Sequence, residues 1–291
     1  KPLIMESSIA IEPGVLYVVA TPIGNLDDIG ARALAVLRGV DRILAEDTRH
    51  SARLLQHHGI RNKLLSLHEH NERQRVPQLL DELAGGHALA LISDAGTPLI
   101  SDPGFPLLRE LHQRGLRAVP VPGPCSPIAA LSVAGLPTDR FAFEGFLPAK
   151  GGVREARLRV LADYPHTLVF LEASHRIHAT LQAMVTVFGA DRRATVAREL
   201  TKVYEQVLSA GIGELADHFA DPARCRGEFV VVVAGAEAGE DLAEARRLLA
   251  ALLEELPAGR AAALVAKLTG VAKNRLYRLA LELRSGAGPS P

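Results

Sequence analysis

The chain has 291 residues, with 33 basic and 33 acidic side chains and no net charge at pH 7. Apolar residues make up 48% and charged residues 23%, which is typical of a soluble globular protein. Its apolar runs are far shorter than the roughly 20 residues of a membrane span, so contact with a membrane is not expected. This length predicts two domains. The two cysteines form no CxxC pair and no secretion signal opens the chain, so we expect a cytoplasmic protein.

The first half of the chain alternates strand-like and helix-like segments. Val76, Leu79, Leu80 and Leu83 have the i, i+3, i+4, i+7 spacing of a helix, and another helix is predicted from about Asp27. Short apolar runs predict strands at residues 15–20, 42–45, 63–67, 88–92 and 117–121. Because these runs are continuously apolar rather than alternating, they favour a mostly parallel sheet in an α/β fold.

Two rigid polar loops follow neighbouring strands of this predicted sheet. Residues 93–104 (SDAGTPLISDPG) contain two Asp, two Gly and two Pro, a composition that ends the strand in an ordered loop. A second such loop, at residues 120–127, follows the next strand. In open α/β sheets small ligands bind at the carboxyl ends of strands, so we expect a pocket at these loops.

Two common nucleotide-binding motifs are absent from these loops, which limits the classes of ligand that the pocket can bind. The first strand is followed by Pro22 and Gly24 rather than by G-x-G-x-x-G, and the chain contains no Walker A sequence. Backbone groups held by Pro and Gly, with carboxylates nearby, suit a neutral to cationic small molecule with a ribose and a purine better than a triphosphate.

The second half mixes strands and helices and ends in a helical segment. Strands are predicted at 141–146, 167–171, 194–197, 205–208 and 228–234, and helices near 153–162, 176–188 and 213–220. Because no helix separates the two strands within 194–209, we expect them to pair antiparallel. From Asp241 onward the pattern is helical, with Gly270 as a turn between 260–269 and 271–284. The predicted domains are therefore residues 14–136, 137–236 and a helical extension at 240–285.

The end of the chain is basic. After residue 256 it has six basic residues against Glu282 alone, which favours either a polyanionic partner or a solvated helix face. The helices around Gly270 have the spacing of a helix-turn-helix or of a simple packing hairpin. The aromatic content of 4% argues against a stacking platform for single strands, so a nucleic-acid partner would be held through its phosphates.

Several segments resemble the motifs of a known family and occur in the same order as in that family. The chain is similar to bacterial ribosomal RNA 2′-O-methyltransferases of the tetrapyrrole-methylase superfamily, the class III methyltransferases, over about residues 14–235. The segments are TPIGNLDD (21–28), EDTR (46–49), 93–104, PGPCS (122–126), GLP (135–137), GFLP (145–148) and RELTKVYE (198–205). One departure lies at residues 172–176, where EASHR lacks the proline that the family tends to have.

The resemblance implies two α/β domains with a helical C-terminal extension. It also implies S-adenosyl-L-methionine bound between these domains, a homodimer, and methylation of a cytidine ribose 2′-hydroxyl in 16S ribosomal RNA of the small subunit. The implied cofactor contacts are Pro22, Gly24, Asp94, Gly96, Thr97, Ser126, Phe170, Leu171 and Leu200. Glu46 and Lys202 are the candidates for a catalytic general base. The candidate RNA contacts are Arg49, Lys150, Arg154, Arg176, Lys273, Arg275 and Arg278.

Other interpretations of these residues stay open at this point. Arg49 and Lys202 can instead pair with Asp47 and Glu199, and Glu46 can cap the following helix. His57-His58 and His68-Glu69-His70 lack further ligands at metal spacing, so no metal is expected, and Cys125 is interpreted as a packing residue. The rival functions are C-methylation of a tetrapyrrole such as a precorrin or uroporphyrinogen, and RNA binding without catalysis.

Overall fold

A computed structural model describes residues 10–236, 242–271 and 273–285 of the protein. The strands are β1 (Val15–Val19), β2 (Arg42–Ala45), β3 (Leu64–Ser66), β4 (Leu89–Ile92), β5 (Arg117–Val121), β6 (Phe141–Phe146), β7 (Thr167–Ala173), β8 (Arg193–Arg198), β9 (Gln206–Gly211) and β10 (Glu228–Val233). The helices are α1 (Ala31–Gly39), α2 (Thr48–His57), α3 (Glu72–Ala84), α4 (Phe105–Gln113), α5 (Ser126–Val133), α6 (Gly151–Leu161), α7 (Ile177–Phe188), α8 (Ile212–His218), α9 (Leu242–Glu255), α10 (Ala258–Thr269) and α11 (Lys273–Ser285).

The first sheet has the strand order β3-β2-β4-β1-β5, and all of its strand pairs are parallel. Side chains alternate between its two faces, so Ala90 packs in one apolar cluster with α1 and α2 while Leu91 packs in another with α3 and α4. Both faces are therefore buried, which explains the continuous apolar runs. The predicted parallel sheet is confirmed.

The second sheet has the order β6-β7-β10-β8-β9. β6 and β7 are parallel, whereas β10 pairs antiparallel with β7 and β8, and β8 pairs antiparallel with β9. The antiparallel pairing predicted within residues 194–209 is confirmed. α5 packs against this sheet, since Ala130 and Leu131 share an apolar cluster with Val169, Val230 and Val232.

The start of the first helix differs from the prediction. Instead of a helix from Asp27, residues Leu26–Asp28 form a short 3₁₀ turn and α1 begins at Ala31. The Asn25 side chain accepts a hydrogen bond from the Asp27 N–H, and this local bond stabilises the turn. Gly30, in an extended conformation, is the residue before α1.

The described residues fall into two compact units, and both sheets belong to the first. The division of the first unit near residue 136 stays a prediction, as do the other predicted domain bounds. The second unit combines Asp163–Pro165 with the segment that follows Ala234 and contains α9, α10 and α11. Its core includes Leu249, Val265 and Leu276. Gly270 ends α10 with a φ of 75°, so the predicted turn is confirmed. Asp241 lies outside the described residues. Among the helices described, none is long and apolar enough to cross a membrane.

Candidate functional site in a cleft between the two sheets

Hydrogen bonds join the loops that follow β1, β4 and β5 into one platform. Thr21 and Gly96 exchange backbone hydrogen bonds, with N···O distances of 2.9 and 3.1 Å. The Thr21 hydroxyl also donates to the Ser93 carbonyl at 3.1 Å, and the Thr97 hydroxyl donates to the Pro124 carbonyl at 3.0 Å. Because β1 lies between β4 and β5 in the sheet, the three loops emerge side by side.

Part of this platform has a strained backbone. Leu99 and Ser101 have φ angles of 71° and 70°, in the left-handed region that non-glycine residues rarely adopt. Such conformations cost free energy and persist only where surrounding contacts hold them, as they often do at binding sites. Ser101 and the residue next to Leu99, Ile100, line the cleft described next.

A cleft of about 520 Å³ lies over the platform and is closed by the second sheet. The predicted pocket at the carboxyl ends of the strands is thereby confirmed. On the side of the first sheet its wall includes Ile23, Glu46, Asp94, Asp102 and Ser126. On the side of the second sheet it includes Leu171, Ala197, Leu200, Phe229 and Val230. The first wall is therefore rich in carboxylates, whereas the second is mostly apolar but also includes Glu172 and Glu228.

The carboxylates of the first wall are partly buried and have no basic partner in an ion pair. None of the ion pairs among the described residues includes Glu46, Asp94 or Asp102. Burial raises the pKa of Asp102 to about 6, and the charges of Glu46 and Asp94 add to this effect. Burial also raises the pKa of Glu46, again with the help of Asp94. This wall favours a ligand that carries positive charge.

Asp47 explains why Glu46 faces the cleft. The Asp47 carboxylate caps α2, accepting hydrogen bonds from the N–H groups of Arg49 and His50. Its own N–H donates to the Asp94 carboxylate at 3.1 Å. The interpretation of Glu46 as the helix cap is therefore wrong, and Glu46 remains available to a ligand.

Lys202 lies in an ion-pair network rather than in the cleft wall. Its Nζ is 2.8 Å from Glu199 Oε1 and 3.0 Å from Glu228 Oε2. Burial alone would lower the pKa of Lys202, but the hydrogen bonds to Glu199 and Glu228 outweigh it and raise the pKa. A lysine held in its charged form is a poor proton acceptor, so these ion pairs argue against Lys202 as a general base, and that assignment stays a prediction. The pairing with Glu199 is confirmed.

Gly24 contacts the loop that carries Lys202. A Cβ atom on Gly24 would lie 2.4 Å from Cγ of Lys202, 2.8 Å from Oγ1 of Thr201 and 3.0 Å from the carbonyl oxygen of Leu200. Gly24 therefore lets the loop after β1 approach residues 200–202 closely. Pro22 is buried beside it, and neither residue is part of the cleft wall.

Some of the other predicted cofactor contacts line the cleft, and the rest belong to the platform of loops beneath it. Asp94, Ser126, Leu171 and Leu200 line the cleft. Gly96 and Thr97 hold the platform together through the hydrogen bonds above and lie outside the wall.

Phe170 requires a correction. It is fully buried, and because its strand neighbour Leu171 faces the cleft, its side chain points to the opposite face of β7. A stacking contact from the Phe170 ring to an adenine is therefore not available.

The predicted RNA contacts differ in their solvent exposure and in whether another side chain already pairs with them. Arg176 pairs with Glu172 at 3.3 Å and donates to the Leu147 carbonyl, and its assignment as an RNA contact stays a prediction. Arg49 is 90% exposed and pairs with Asp47 at 3.2 Å, which confirms that alternative. Lys150 is exposed, and Arg154 is buried.

The remaining candidate RNA contacts lie in the second compact unit. Lys273 and Arg278 are exposed on α11. The side chain of Arg275 lies outside the described part of the chain.

Asp102 is the main site residue that the sequence did not single out. It belongs to the predicted loop 93–104, but the sequence does not indicate that burial and the charge of Glu46 raise the pKa of Asp102. Within the ranges that the structure describes, no group of three or more His, Cys, Asp or Glu side chains is arranged to hold a metal ion.

Comparison with known proteins defines the class. The family model for Tetrapyrrole (Corrin/Porphyrin) Methylases matches residues 15–216, which include most of the cleft lining. Uroporphyrin-III-C-methyltransferase from Thermus thermophilus shares the fold, with a TM-score of 0.54 at 20% identity, over 76% of this chain and 94% of that one. The chain belongs to the tetrapyrrole methylase family.

Similar relatives indicate the branch of that family. Ribosomal RNA small subunit methyltransferase I of Pseudomonas aeruginosa is 57% identical over 274 residues, which are 92% of this chain and 97% of that protein. The protein of the same name from Escherichia coli O157:H7 is 53% identical over 272 residues, 92% of this chain and 95% of that protein. A second family model, the RsmI C-terminal HTH domain, matches residues 239–284.

Proposed function

We propose that this protein transfers a methyl group from S-adenosylmethionine to the 2′-hydroxyl of a cytidine ribose in small-subunit ribosomal RNA. The observation that carries the proposal is the carboxylate-lined cleft, in a chain whose similarity to small-subunit ribosomal RNA methyltransferases spans nearly its full length. The match to the C-terminal HTH domain supports RNA over a tetrapyrrole as the substrate.

The walls of the cleft fit the methyl donor. S-adenosylmethionine supplies an activated methyl group on a cationic sulfur. Asp94 and the neighbouring carboxylates complement positive charge, and the apolar wall of Leu171, Leu200 and Val230 suits a purine. Ser126, at the N-terminus of α5, adds a hydroxyl between the two walls.

Catalysis in this site consists of positioning together with proton removal. Holding the ribose hydroxyl in line with the methyl group supplies much of the rate. We assign acceptance of the hydroxyl proton to Asp102 together with Glu46. With a pKa of about 6, Asp102 is mostly ionised at neutral pH and is more basic than an ordinary aspartate.

The proposal also covers the oligomeric state of the protein and its location in the cell. We infer that two copies associate, a state supported by the exposed apolar side chains of Val203 and Tyr204. Light scattering on the purified protein tests this and is expected to give twice the mass of the chain. We place the protein in the cytoplasm because its proposed substrate, ribosomal RNA, is found there.

The test is transfer of a tritiated methyl group. Purified protein and labelled donor are incubated with small ribosomal subunits, with free small-subunit RNA, or with uroporphyrinogen. We expect label in RNA, in a dinucleotide that resists alkali because its 2′-hydroxyl is blocked. Label in uroporphyrinogen alone would contradict the proposal, as would RNA binding with no transfer to any acceptor.

A further inference from the structure

The N-terminus of α6 is open to solvent and carries no acidic side chain. α6 has 11 residues, begins with Gly151 and Gly152, and has neither a side-chain cap nor an acidic residue in its first turn. Its first backbone bond within the helix is from Arg154 N–H to the Lys150 carbonyl, at 2.9 Å. The N–H groups of the three residues before Arg154 therefore lack helical acceptors and point outward at the positive end of the helix dipole.

Arg154 is a buried cation without a partner. It is only 9% exposed, its Nε has no hydrogen-bond partner, and none of the ion pairs among the described residues includes it. By contrast, Arg157 on the same helix pairs with Glu144. Leaving the enclosed Nε of this guanidinium without a partner is costly, which favours a negatively charged ligand beside it.

The guanidinium of Arg154 is directed at the first turn of α6. Its Nη2 lies 4.0 Å from the position that a Cβ atom on Gly151 would take. A Cβ on Gly152 would meet nothing within 4 Å, so space is open in front of the helix end. Lys150 is exposed at the same end. The nearest acidic side chain along the helix, Glu155, pairs with Arg159 at 3.0 Å and leaves the site positive.

We propose that the N-terminus of α6 and Arg154 bind one backbone phosphate of the RNA substrate. Helix amides and a guanidinium are donors that match phosphate oxygens, and the bound charge would neutralise Arg154. The choice of RNA as the source of the phosphate rests on the proposed function. Gly151 lies five residues after Phe146, which lines the cleft, so at most about 18 Å of chain separates them. A bound strand with its ribose in the cleft therefore reaches α6 within a few nucleotides, and the site orients the RNA without touching the reacting atoms.

Two variants and one matched control test the site. Arg154→Met removes the charge and keeps the apolar stem. Gly152→Glu places a carboxylate at the proposed phosphate position, where it also favours the helix dipole. Ala31→Glu adds the same charge at the exposed start of α1, where no buried arginine lies nearby. For each protein we measure the Tm with and without inorganic phosphate, the affinity for free small-subunit RNA at several salt concentrations, and donor affinity by calorimetry.

Both test variants are expected to lose the rise in Tm that phosphate gives the unmodified protein. Their RNA affinity falls about tenfold or more, and the slope of log K against log salt becomes shallower by about 0.7 to 0.9. Donor affinity and the Ala31→Glu variant stay unchanged. Arg154→Met has an unchanged or higher Tm without phosphate, whereas an arginine that is purely structural would give a lower one.

The proposal is overturned if both variants keep the phosphate effect and the salt slope of the unmodified protein. It is also overturned if Ala31→Glu weakens RNA binding equally, since the effect is then one of overall charge. Failure of the proposed function gives a different result: no methyl transfer to RNA by the unmodified protein, with the phosphate effect on Tm still open to measurement.

Discussion

Acidic side chains lie on both sides of the cleft, and they are in opposite electrostatic states. On the first side, burial raises the pKa of Glu46 and Asp102, and no ion pair among the described residues neutralises them. On the second side, Glu199 and Glu228 both contact Lys202. Burial alone would raise the pKa of Glu199, but the hydrogen bonds from Lys202 and from the Glu228 N–H, together with the nearby positive charges, outweigh it and lower the pKa.

This difference separates residues that bind or react from residues that shape the site. A buried charge without a partner reduces stability, so it persists where a ligand supplies the opposite charge. The ion-pair network of Lys202 instead holds the backbone of residues 199–202, which carries Leu200 into the cleft wall. We therefore assign ligand binding and proton transfer to the residues of the first side. The residues of the second side hold the cleft wall in position.

The largest expected effect comes from removing the basic carboxylate. Asp102→Asn should lower the rate of methyl transfer to RNA about 10²- to 10⁴-fold, because the ribose proton loses its acceptor. Glu46→Gln should lower it by a smaller factor, since Asp102 remains. Single-turnover transfer measures both, and donor affinity is measured separately by calorimetry.

The matched control for the carboxylate variants is Asp81→Asn, which removes a surface carboxylate paired with Arg114 and should leave the rate unchanged. If Asp102→Asn transferred methyl groups at the normal rate, positioning alone would account for catalysis. The contrast between the two sides of the cleft would then be one of binding only.

The pH dependence should follow the ionisation of Asp102. A base must be unprotonated to act, so transfer is expected to rise with pH through about 6 and to level off above 7. Asp102→Asn should lose this inflection. A profile that rises only near pH 10 would instead point to a lysine and contradict the assignment.

The stability contributed by Asp102 should fall as the pH rises, which is opposite to the expected rise in the rate of methyl transfer. The pKa of Asp102 is raised in the folded protein relative to about 3.9 in the unfolded chain. The folded state therefore binds the proton more tightly, and this contribution to stability is full below pH 4 and lost as the pH rises to about 6. Asp102→Asn should thus have a higher Tm than the unmodified protein at pH 7.5, and the difference should shrink at pH 4.

The second side of the cleft is tested by an added methyl group. Gly24→Ala would place a Cβ 2.4 Å from Lys202 Cγ and 3.0 Å from the Leu200 carbonyl oxygen, which forces the 200–202 loop to move. We expect donor affinity to fall several-fold while the pH profile stays the same. Gly30→Ala is the control, because a Cβ there meets nothing within 4 Å. Normal donor affinity in Gly24→Ala would show that the position of this loop does not matter for binding.

Much of the fold could be predicted because its signals are local. Apolar runs and helical spacing placed the strands of both sheets, and the clusters of Asp, Gly and Pro placed the loops that meet at the cleft. The 3₁₀ turn at Leu26–Asp28 was missed, because it depends on one side-chain hydrogen bond from Asn25.

The chemical state of the site was harder to predict because it depends on contacts across the chain. Lys202 is 26 residues from Glu228 in sequence, yet their side chains are in contact. The raised pKa of Asp102 depends on its burial and on Glu46, which follows another strand. Phe170 and Leu171 are neighbours in sequence, and only the direction of the strand decides which of them faces the cleft.

The smallest expected effect concerns the exposed ion pair beside the first wall. The Arg49 side chain is 90% exposed, so its pairing with Asp47 is screened by water, and Arg49→Ala should leave the Tm within about 1 °C of the original value. Asp47→Ala should lower the Tm further, because that side chain also caps α2 and the cap does not depend on Arg49. If Arg49 contacts RNA, Arg49→Ala also weakens RNA binding more at low salt than at high salt. A large drop in Tm in Arg49→Ala would mean that this exposed pair stabilises the protein as strongly as the partly buried pair of Lys202 and Glu199. The contrast between the two sides of the cleft would then lose its basis.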